Sequence, residues 1–482
     1  MKKMFIILIA IFLLSTVFTI PTYTIWEEQS AAIQKLLDDA CRISGVPGMS
    51  ISIISGDETL YFSSGYADRE RRLPATENTL YELASVSKAF TGTGILLLEE
   101  QGLLSMSDPI QKYLPWISFE YKGAPIDMQS LTLNHFLHHT SGITNENHFQ
   151  DISQGSSEDM LQKTVETLKG AELEFPPGQR YKYGTINYDV LGLVIEVVSG
   201  KSYERFMDEE VFKPLGLYHT YLYEEDVQSS GQLAQGYRTS FLITSPYDAP
   251  VYAGNKPAGY IISSSEDMAR WMKIQMGIVE DVSELFKAVI KKSHQGNKSV
   301  SDDNGMYYGA GWSINSDTTI IEHGGVNPNF STQVTIFPNE KLALTFLTNN
   351  AHTNNINLVK GIKEILEGNF TQSYQRSATQ LWDIVLSSTT IIFTILAIIF
   401  FLLGLVRKKR NKQKLVIKKR VHITAWLTVT ITILIISWIF PKFIGYDWST
   451  LLVWQPYSLI AALISLVILS ASITWFVWRV SI

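Results

Sequence analysis

A single cysteine, Cys41, in 482 residues excludes an internal disulfide, so the fold cannot depend on oxidative stapling. Cys41 follows Asp38, Asp39 and Ala40 rather than a small-residue cleavage motif, which excludes a lipid-acceptor role and leaves a buried, inert thiol. Charged residues are also scarce, 18% against 46% hydrophobic, a balance too apolar for disorder. The formal charge of -6, with much of the basic charge gathered in one late loop, excludes nucleic acid as a partner. There is no G-x-S-x-G, which excludes an α/β-hydrolase nucleophile elbow. His135, His138 and His139 invite a metal reading, because His135 and His139 at i, i+4 share a helix face. The Glu that an H-E-x-x-H motif places between them is missing, so no metal is expected.

What is present gathers first at the ends. Lys2 and Lys3 precede an apolar run over residues 4–20, the n-region and h-region of a secretory signal, which assigns residues 1–24 to export. Pro21-Thr22-Tyr23-Thr24 offers no A-x-A site, so a cleaved signal peptide and an uncleaved signal anchor both stay open. Three apolar stretches, 384–406, 423–440 and 459–478, are each near the ~20 residues a helix needs to cross hydrocarbon. Between the first two stand Arg407, Lys408, Lys409, Arg410, Lys412, Lys414, Lys418, Lys419 and Arg420, and such loops stay cytoplasmic. The domain before the first span is therefore expected outside, on a multi-pass cell-membrane protein. The spans carry no Asp, Glu, Lys, Arg or His, which suits an anchor rather than a transporter.

Residues 27–44 place Ile33, Leu36, Leu37 and Ala40 on one face, predicting an amphipathic helix. Met49, Ile51 and Ile53 alternate with Ser50 and Ser52, and Gly56-Asp57 separates them from residues 59–63, predicting a hairpin. Residues 333–337 and 342–347 flank a Pro338-Asn339-Glu340 turn, and Leu358, Ile362 and Ile365 mark a closing helix. Strands at both ends of a helical middle predict an α+β fold, an antiparallel sheet flanked by helices with an α-rich lobe. The expected plan is a folded domain at 25–370, a linker at 371–383 and a three-helix membrane region at 384–482.

Ser85-Val86-Ser87-Lys88 opens a predicted helix that continues through Phe90, Ile95, Leu96 and Leu98. Ser85 and Lys88 at i, i+3 share its face, whereas Ser87 and Lys88 do not. The helix N-terminus adds free N–H groups and a dipole that favours developing negative charge. By itself S-x-x-K is a weak signal. Its surroundings, Glu82-Leu83-Ala84-Ser85-Val86-Ser87-Lys88-Ala89-Phe90-Thr91, resemble the active-site segment of class C β-lactamases and related penicillin-binding proteins. The resemblance continues in order through Gly102-Leu103-Leu104, Asp108-Pro109, His139-Thr140-Ser141-Gly142, Pro177-Gly178, Tyr183, Pro214-Leu215-Gly216-Leu217, Pro257-Ala258-Gly259 and His323-Gly324-Gly325, over residues 30 to 367.

The resemblance implies an acyl-enzyme mechanism that needs no cofactor, with Ser85 as nucleophile and Lys88 or Tyr183 as the base. Neither works at its ordinary pKa, and the sequence leaves both open. His323-Gly324-Gly325 stands where the family carries Lys-Thr-Gly. By position, the N–H groups of Val326 and Ser85 are implied as the oxyanion hole, with the glycines allowing close backbone approach. The family's Tyr-x-Asn is here Tyr183-Gly184-Thr185, so Thr185 loses the amide's paired donor and acceptor, while Asn187 lies two residues on. Pro328-Asn329-Phe330 puts Asn where the family has glycine, and Asn tolerates left-handed backbone. The implied activity is hydrolysis or transfer on a β-lactam-like, D-amino-acid peptide or ester substrate of the cell envelope. An esterase or D-alanyl-ester hydrolase, and a penicillin-binding sensor without turnover, are the alternatives, and the oligomeric state is open.

Overall fold

In the computed structural model the described residues are 27–143, 159–222, 227, 230–406 and 427–481. The expected signal at 1–24, the basic loop from Arg407 to Arg420 and the first residues of the expected second span lie outside them. An eight-stranded antiparallel sheet is built from both ends of the first 370 residues: β1 (Gly48–Ser55), β2 (Glu58–Asp68) and β3 (Leu73–Pro74), then, after a hairpin of β4 (Tyr237–Ser240) and β5 (Ile243–Pro246) outside it, β6 (Tyr307–Tyr308), β7 (Ser313–Ile314), β8 (Ile321–Val326), β9 (Ser331–Phe337) and β10 (Leu342–Thr348). Its order is β6-β7-β8-β9-β10-β1-β2-β3, so β1 pairs with β10, with Met49 opposite Thr348 and Ile53 opposite Leu344.

The longer helices of the domain are α1 (Glu27–Ser44), α2 (Ser87–Glu100), α3 (Ile186–Ser199), α4 (Ser265–Gln275), α5 (Glu284–Ser293) and α6 (Asn355–Leu366). Ile33, Leu36 and Leu37 of α1 and Leu358 and Ile362 of α6 bury one face of the sheet against Met49, Ile51, Ile53, Leu344 and Phe346. Met268, Trp271 and Met272 of α4 cover the other face, in one core with α2, α3 and α5. Apolar residues alternate with serines along β1, and every residue of it is buried, because helices cover both faces. Ser50 is accommodated there by donating to the Thr76 carbonyl at 2.7 Å. Helix α2 is buried all round from Ser87 to Leu98 and stacks Phe90 on Trp271 at 4.2 Å, so the helix following Ser85 is anchored in the main core. Burial pushes the Cys41 thiol up to about 11, consistent with an inert sulfur.

Residues 371–377, expected as a linker, are strapped to the domain: Asn354 N donates to Tyr374 OH at 2.8 Å, and Ser377 Oγ donates to the His352 carbonyl at 2.7 Å. Buried Tyr374 supplies an apolar anchor that a polar, aperiodic stretch conceals. Beyond it lie α7 (Ala378–Val406), α8 (Leu427–Ile444), the short α9 (Trp448–Trp454) and α10 (Tyr457–Ser481). Ala378–Val406, Leu427–Ile444 and Tyr457–Arg479 are each long and apolar enough to cross a membrane. Helices α7 and α10 pack closely at Gly404, where a Cβ would meet Trp475 Nε1 at 2.6 Å.

The two parts are tied together by polar contacts. Asp383 of α7, fully buried, accepts from Phe241 N at 3.1 Å, Leu242 N at 2.7 Å and Ser458 Oγ at 2.5 Å. Phe241 and Leu242 form the β4–β5 turn with φ of 56° and 62°, a left-handed pair normally given to Asn-Gly. The Asp383 carboxylate, by taking both N–H groups, offsets the cost of placing bulky residues there. Arg238, on β4, donates to the Leu452 and Val453 carbonyls and lies 3.5 Å over the Tyr247 ring and 4.7 Å over the Tyr457 ring.

Candidate active site

Ser85 sits in a 3₁₀ turn, Ala84–Val86, that runs directly into α2 at Ser87, rather than on the α-helix itself. Residues i and i+3 eclipse in that tighter turn, which brings Lys88 Nζ to 3.0 Å from Ser85 Oγ. Lys88 also donates to the Ala258 carbonyl at 2.7 Å, and its Nζ lies 5.1 Å over the Tyr183 ring. Ser87 points elsewhere: it is fully buried and accepts from Ile261 N at 3.0 Å. The residue before Ser85, Ala84, has a left-handed φ of 47°, a strained conformation for a residue with a Cβ, held by a fully buried site.

Tyr183 is set by the His139 segment. His139, buried with φ of 54°, packs against Tyr183 with the rings tilted and their centroids 4.4 Å apart, and its Nδ1 accepts from Gly184 N at 3.3 Å. Burial pushes His139 well below its ordinary value, so a neutral ring does the accepting. Asn187 is buried in the same knot, 3.1 Å from His139 Nδ1, accepting from Ser141 Oγ at 2.7 Å and donating to the Gly184 carbonyl. It supports the Tyr183 turn and does not line the cavity at Ser85, whereas Thr185 does. His135 closes a capping box with Thr132, and His138 Nδ1 lies 2.7 Å from the Tyr308 carbonyl. Burial raises the Tyr183 phenol above its ordinary 10, outweighing the lowering influence of the nearby Ser85 hydroxyl, and among the described residues Tyr183 OH has no hydrogen-bond partner.

His323, Gly324, Gly325 and Val326 form the end of β8, beside Ser85. A Cβ at Gly325 would lie 2.5 Å from Leu83 O and 2.9 Å from Ser85 N, so only glycine lets this strand reach the turn. Gly324 faces outward, and a Cβ there would meet only the Gln333 side chain. The close approach expected of both glycines thus belongs to one, because neighbours on a strand point to opposite faces. Val326 is 51% exposed and borders the cavity. His323 Nε2 lies 2.9 Å from Tyr308 OH and Nδ1 2.7 Å from Gly324 O; burial, followed by the Lys88 charge, pushes the ring down to about 3. Asn329 closes the following turn without left-handed backbone, since Asn327 N donates to Phe330 O at 2.9 Å and Asn329 is not among the positive-φ residues.

Two further carboxyl groups near Ser85 are not among the residues the sequence singles out as a site. Glu82 takes the Asn327 amide, which also donates to Gly259 O at 3.1 Å; burial pushes Glu82 up to about 7 against that hydrogen bond. Asp189, fully buried on α3, accepts from Asn255 Nδ2 at 2.6 Å, while its Oδ1 has no partner. Burial raises Asp189 above the usual carboxylate range, and burial lowers Lys88 against the opposing pull of Asp189. Asp189 stands four residues after Thr185, on the same helix face, a spacing that sequence reading could have used.

The cavity over Ser85 measures about 240 Å³. Thr185, Asn255, Tyr252, Tyr260, Gly259 and Asn327 line it, and the opposite wall comes from the segment joining α8 to α10, with Tyr446, Leu451 and Trp454. Such a site can place a carbonyl between the half-buried Ser85 hydroxyl, backed by a buried amine, and backbone donors at a strand end.

A family model described as Beta-lactamase matches residues 31–366. The chain is similar to protein flp of Staphylococcus aureus strain N315, 27% identical over 445 residues that cover 90% of this chain and 88% of flp. It is also similar to penicillin-binding protein 4* of Bacillus subtilis strain 168, 27% identical over 319 residues, 63% of this chain and 68% of that protein. Among solved structures it resembles the octameric penicillin-binding protein homologue from Pyrococcus abyssi, with a TM-score of 0.61 and 26% identity over 74% of this chain and 81% of that one.

Proposed function

This chain belongs to the Beta-lactamase family, and we propose that it is a membrane-anchored serine acyl hydrolase, with its domain of residues 25–370 outside the cytoplasm, acting on D-amino-acid esters or peptides or on β-lactams. The observation that carries this reading is the 3.0 Å contact between Ser85 Oγ, which borders a cavity open to a ligand, and the fully buried Lys88 Nζ behind it. Burial favours the uncharged amine of Lys88 and disfavours the phenolate of Tyr183, which supports Lys88 as the base. A neutral amine donates to Ala258 O and keeps its lone pair for the Ser85 proton.

In the first step Ser85 Oγ attacks the carbonyl carbon as its proton passes to Lys88. The tetrahedral oxyanion lies against the N–H groups of Ser85 and Val326. The bond to the leaving oxygen or nitrogen then breaks, and the leaving group takes the proton from Lys88. Water next adds to the acyl-enzyme, giving its proton to Lys88; the Oγ–carbon bond breaks, the acid departs, and Ser85 recovers its proton. General-base help of this kind contributes roughly 10²–10⁴ in rate. His323, kept neutral by burial, and Tyr308 hold the strand end and Tyr183 in place.

One observation favours the second reading, a penicillin-binding protein that acylates without turnover: the position lining the cavity is Thr185, which has no amide to position an acyl chain. The test is intact-mass analysis after exposure to a fluorescent penicillin and to D-alanyl esters. A mass increase that clears identifies the hydrolase, and one that persists identifies the acceptor. Ser85→Ala is expected to abolish the adduct. Ser87→Ala is expected to keep it while losing about 1–3 kcal/mol of stability, because Ile261 N is left unpaired in the core. Labelling of Ser85→Ala at the wild-type rate refutes the assignment.

A further inference from the structure

Five residues of the segment joining α8 to α10, Tyr446, Thr450, Leu451, Trp454 and Gln455, form one wall of the cavity that holds Ser85. We propose that this wall makes the site face the membrane and select an ester or amide carrying an alkyl chain resident in the bilayer. The inference rests on the reading of Ser85 as nucleophile and of the apolar helices as spans.

The wall is fixed in place. Asp447 caps α9 by accepting from Thr450 N at 2.8 Å. At its other end the Leu452 and Val453 carbonyls are held by Arg238, with Tyr247 OH donating to Val453 O at 3.4 Å. With α9 so placed, Ser85 still borders about 240 Å³ of space, so the segment is a wall and not a plug.

Its depth follows from connectivity. Helix α9 lies between the end of α8 at Ile444 and the start of α10 at Tyr457, at the level where spans meet the headgroups. Tyr446, Trp448, Trp454 and Tyr457 fall within this short stretch, the residue types that sit at membrane–water interfaces. The β4–β5 tip supplies independent support. Phe241, Leu242 and Ile243 are 40%, 60% and 69% exposed and are bound through Asp383 to the start of α7, an apolar tip that suits the headgroup–acyl boundary. A scissile bond at Ser85 thus lies at the interface, and an alkyl chain leaves it along Leu451 and Trp454.

The experiment uses the full chain in phosphatidylcholine vesicles. One arm compares the D-alanyl ester of glycerol with that of monooleoylglycerol; the other compares N-acetyl- with N-dodecanoyl-D-alanine methyl ester, so that the chain lies on the leaving side in one and on the acyl side in the other. We expect at least a tenfold higher kcat/KM for the chain-bearing member of one pair. Trp454→Ala, checked for folding by thermal unfolding, is expected to lower that ratio about tenfold. Equal rates for short and long members in both arms of the wild type overturn the proposal without any variant. So does an unchanged ratio in Trp454→Ala, which means that surface concentration alone drives the preference, or a rise with all substrates, which means that the segment is a plug. If intact-mass analysis shows Ser85 acylated by none of them, the nucleophile assignment falls and the inference with it.

Discussion

Adjacent glycines on β8 give a sharp test of how the strand end serves the site. A methyl at position 325 would sit 2.5 Å from Leu83 O, where ordinary contact begins at 3.4 Å, so the strand and the Ser85 turn must part by about 0.9 Å. The obstacle is backbone on both sides and cannot rotate away. A misplacement of about 1 Å costs on the order of 10²-fold in rate, about 2.7 kcal/mol of transition-state stabilisation. Overpacking of the fold adds roughly 1–3 kcal/mol of lost stability. At Gly324 the methyl meets only Gln333 Oε1 at 2.9 Å, the end of a side chain that can swing aside. Gly325→Ala is therefore expected to slow acylation by a fluorescent penicillin or a D-alanyl ester roughly 10²-fold, and Gly324→Ala less than about threefold. Stopped-flow acylation rates, read beside thermal midpoints, decide it. Equal losses for the two variants, or a Gly325→Ala enzyme acylating at the wild-type rate, refute the geometry.

Glu82 predicts a pH dependence of stability. A carboxyl raised from its ordinary 4.5 to about 7 in the folded state contributes fully below about 4.5, and that contribution is lost as pH rises through 7. The bound is about 3 kcal/mol, and less because Glu82 is partly exposed. Glu82→Gln, which can still accept from Asn327, is expected to flatten the decline in denaturation midpoint between pH 5 and pH 8; parallel curves for the two proteins refute it. Thr185→Asn is expected to raise turnover of amides or β-lactams more than that of small activated esters, because an amide adds a donor and an acceptor beside Ser85. Equal changes for both substrate kinds remove Thr185 from substrate positioning. For orientation, protease added to intact cells is expected to remove the 25–370 domain, and protection until lysis refutes an external site.

What the sequence made legible was local. Alternation in residues 49–53, the Pro338 turn and the face of Ile33, Leu36 and Leu37 mark strands and helices because each pattern repeats within a few residues. The Ser85–Lys88 spacing predicts a shared face in either helix type, which is why the pair is met even though Ser85 lies in a 3₁₀ turn. Burial of β1 on both faces is not legible in the alternation of Ser50 and Ser52 with apolar residues, because it arises only where helices from distant segments cover both faces. The wall from α9 left no trace at all. Its cause is a set of contacts between segments some two hundred residues apart, Arg238 with Leu452 and Ser240 with Tyr457, in which each residue alone is an unremarked surface group. Asp383 illustrates the limit best. It stands one residue before the expected span, where a carboxylate reads as a solvated helix end, and it is in fact buried as the acceptor for two left-handed hairpin residues and a serine of α10. A buried carboxylate with three donors is costly to form unless its partners arrive together. The hairpin, α7 and α10 therefore share one buried carboxylate, and the placing of α9 beside the Ser85 cavity follows from such contacts rather than from any motif.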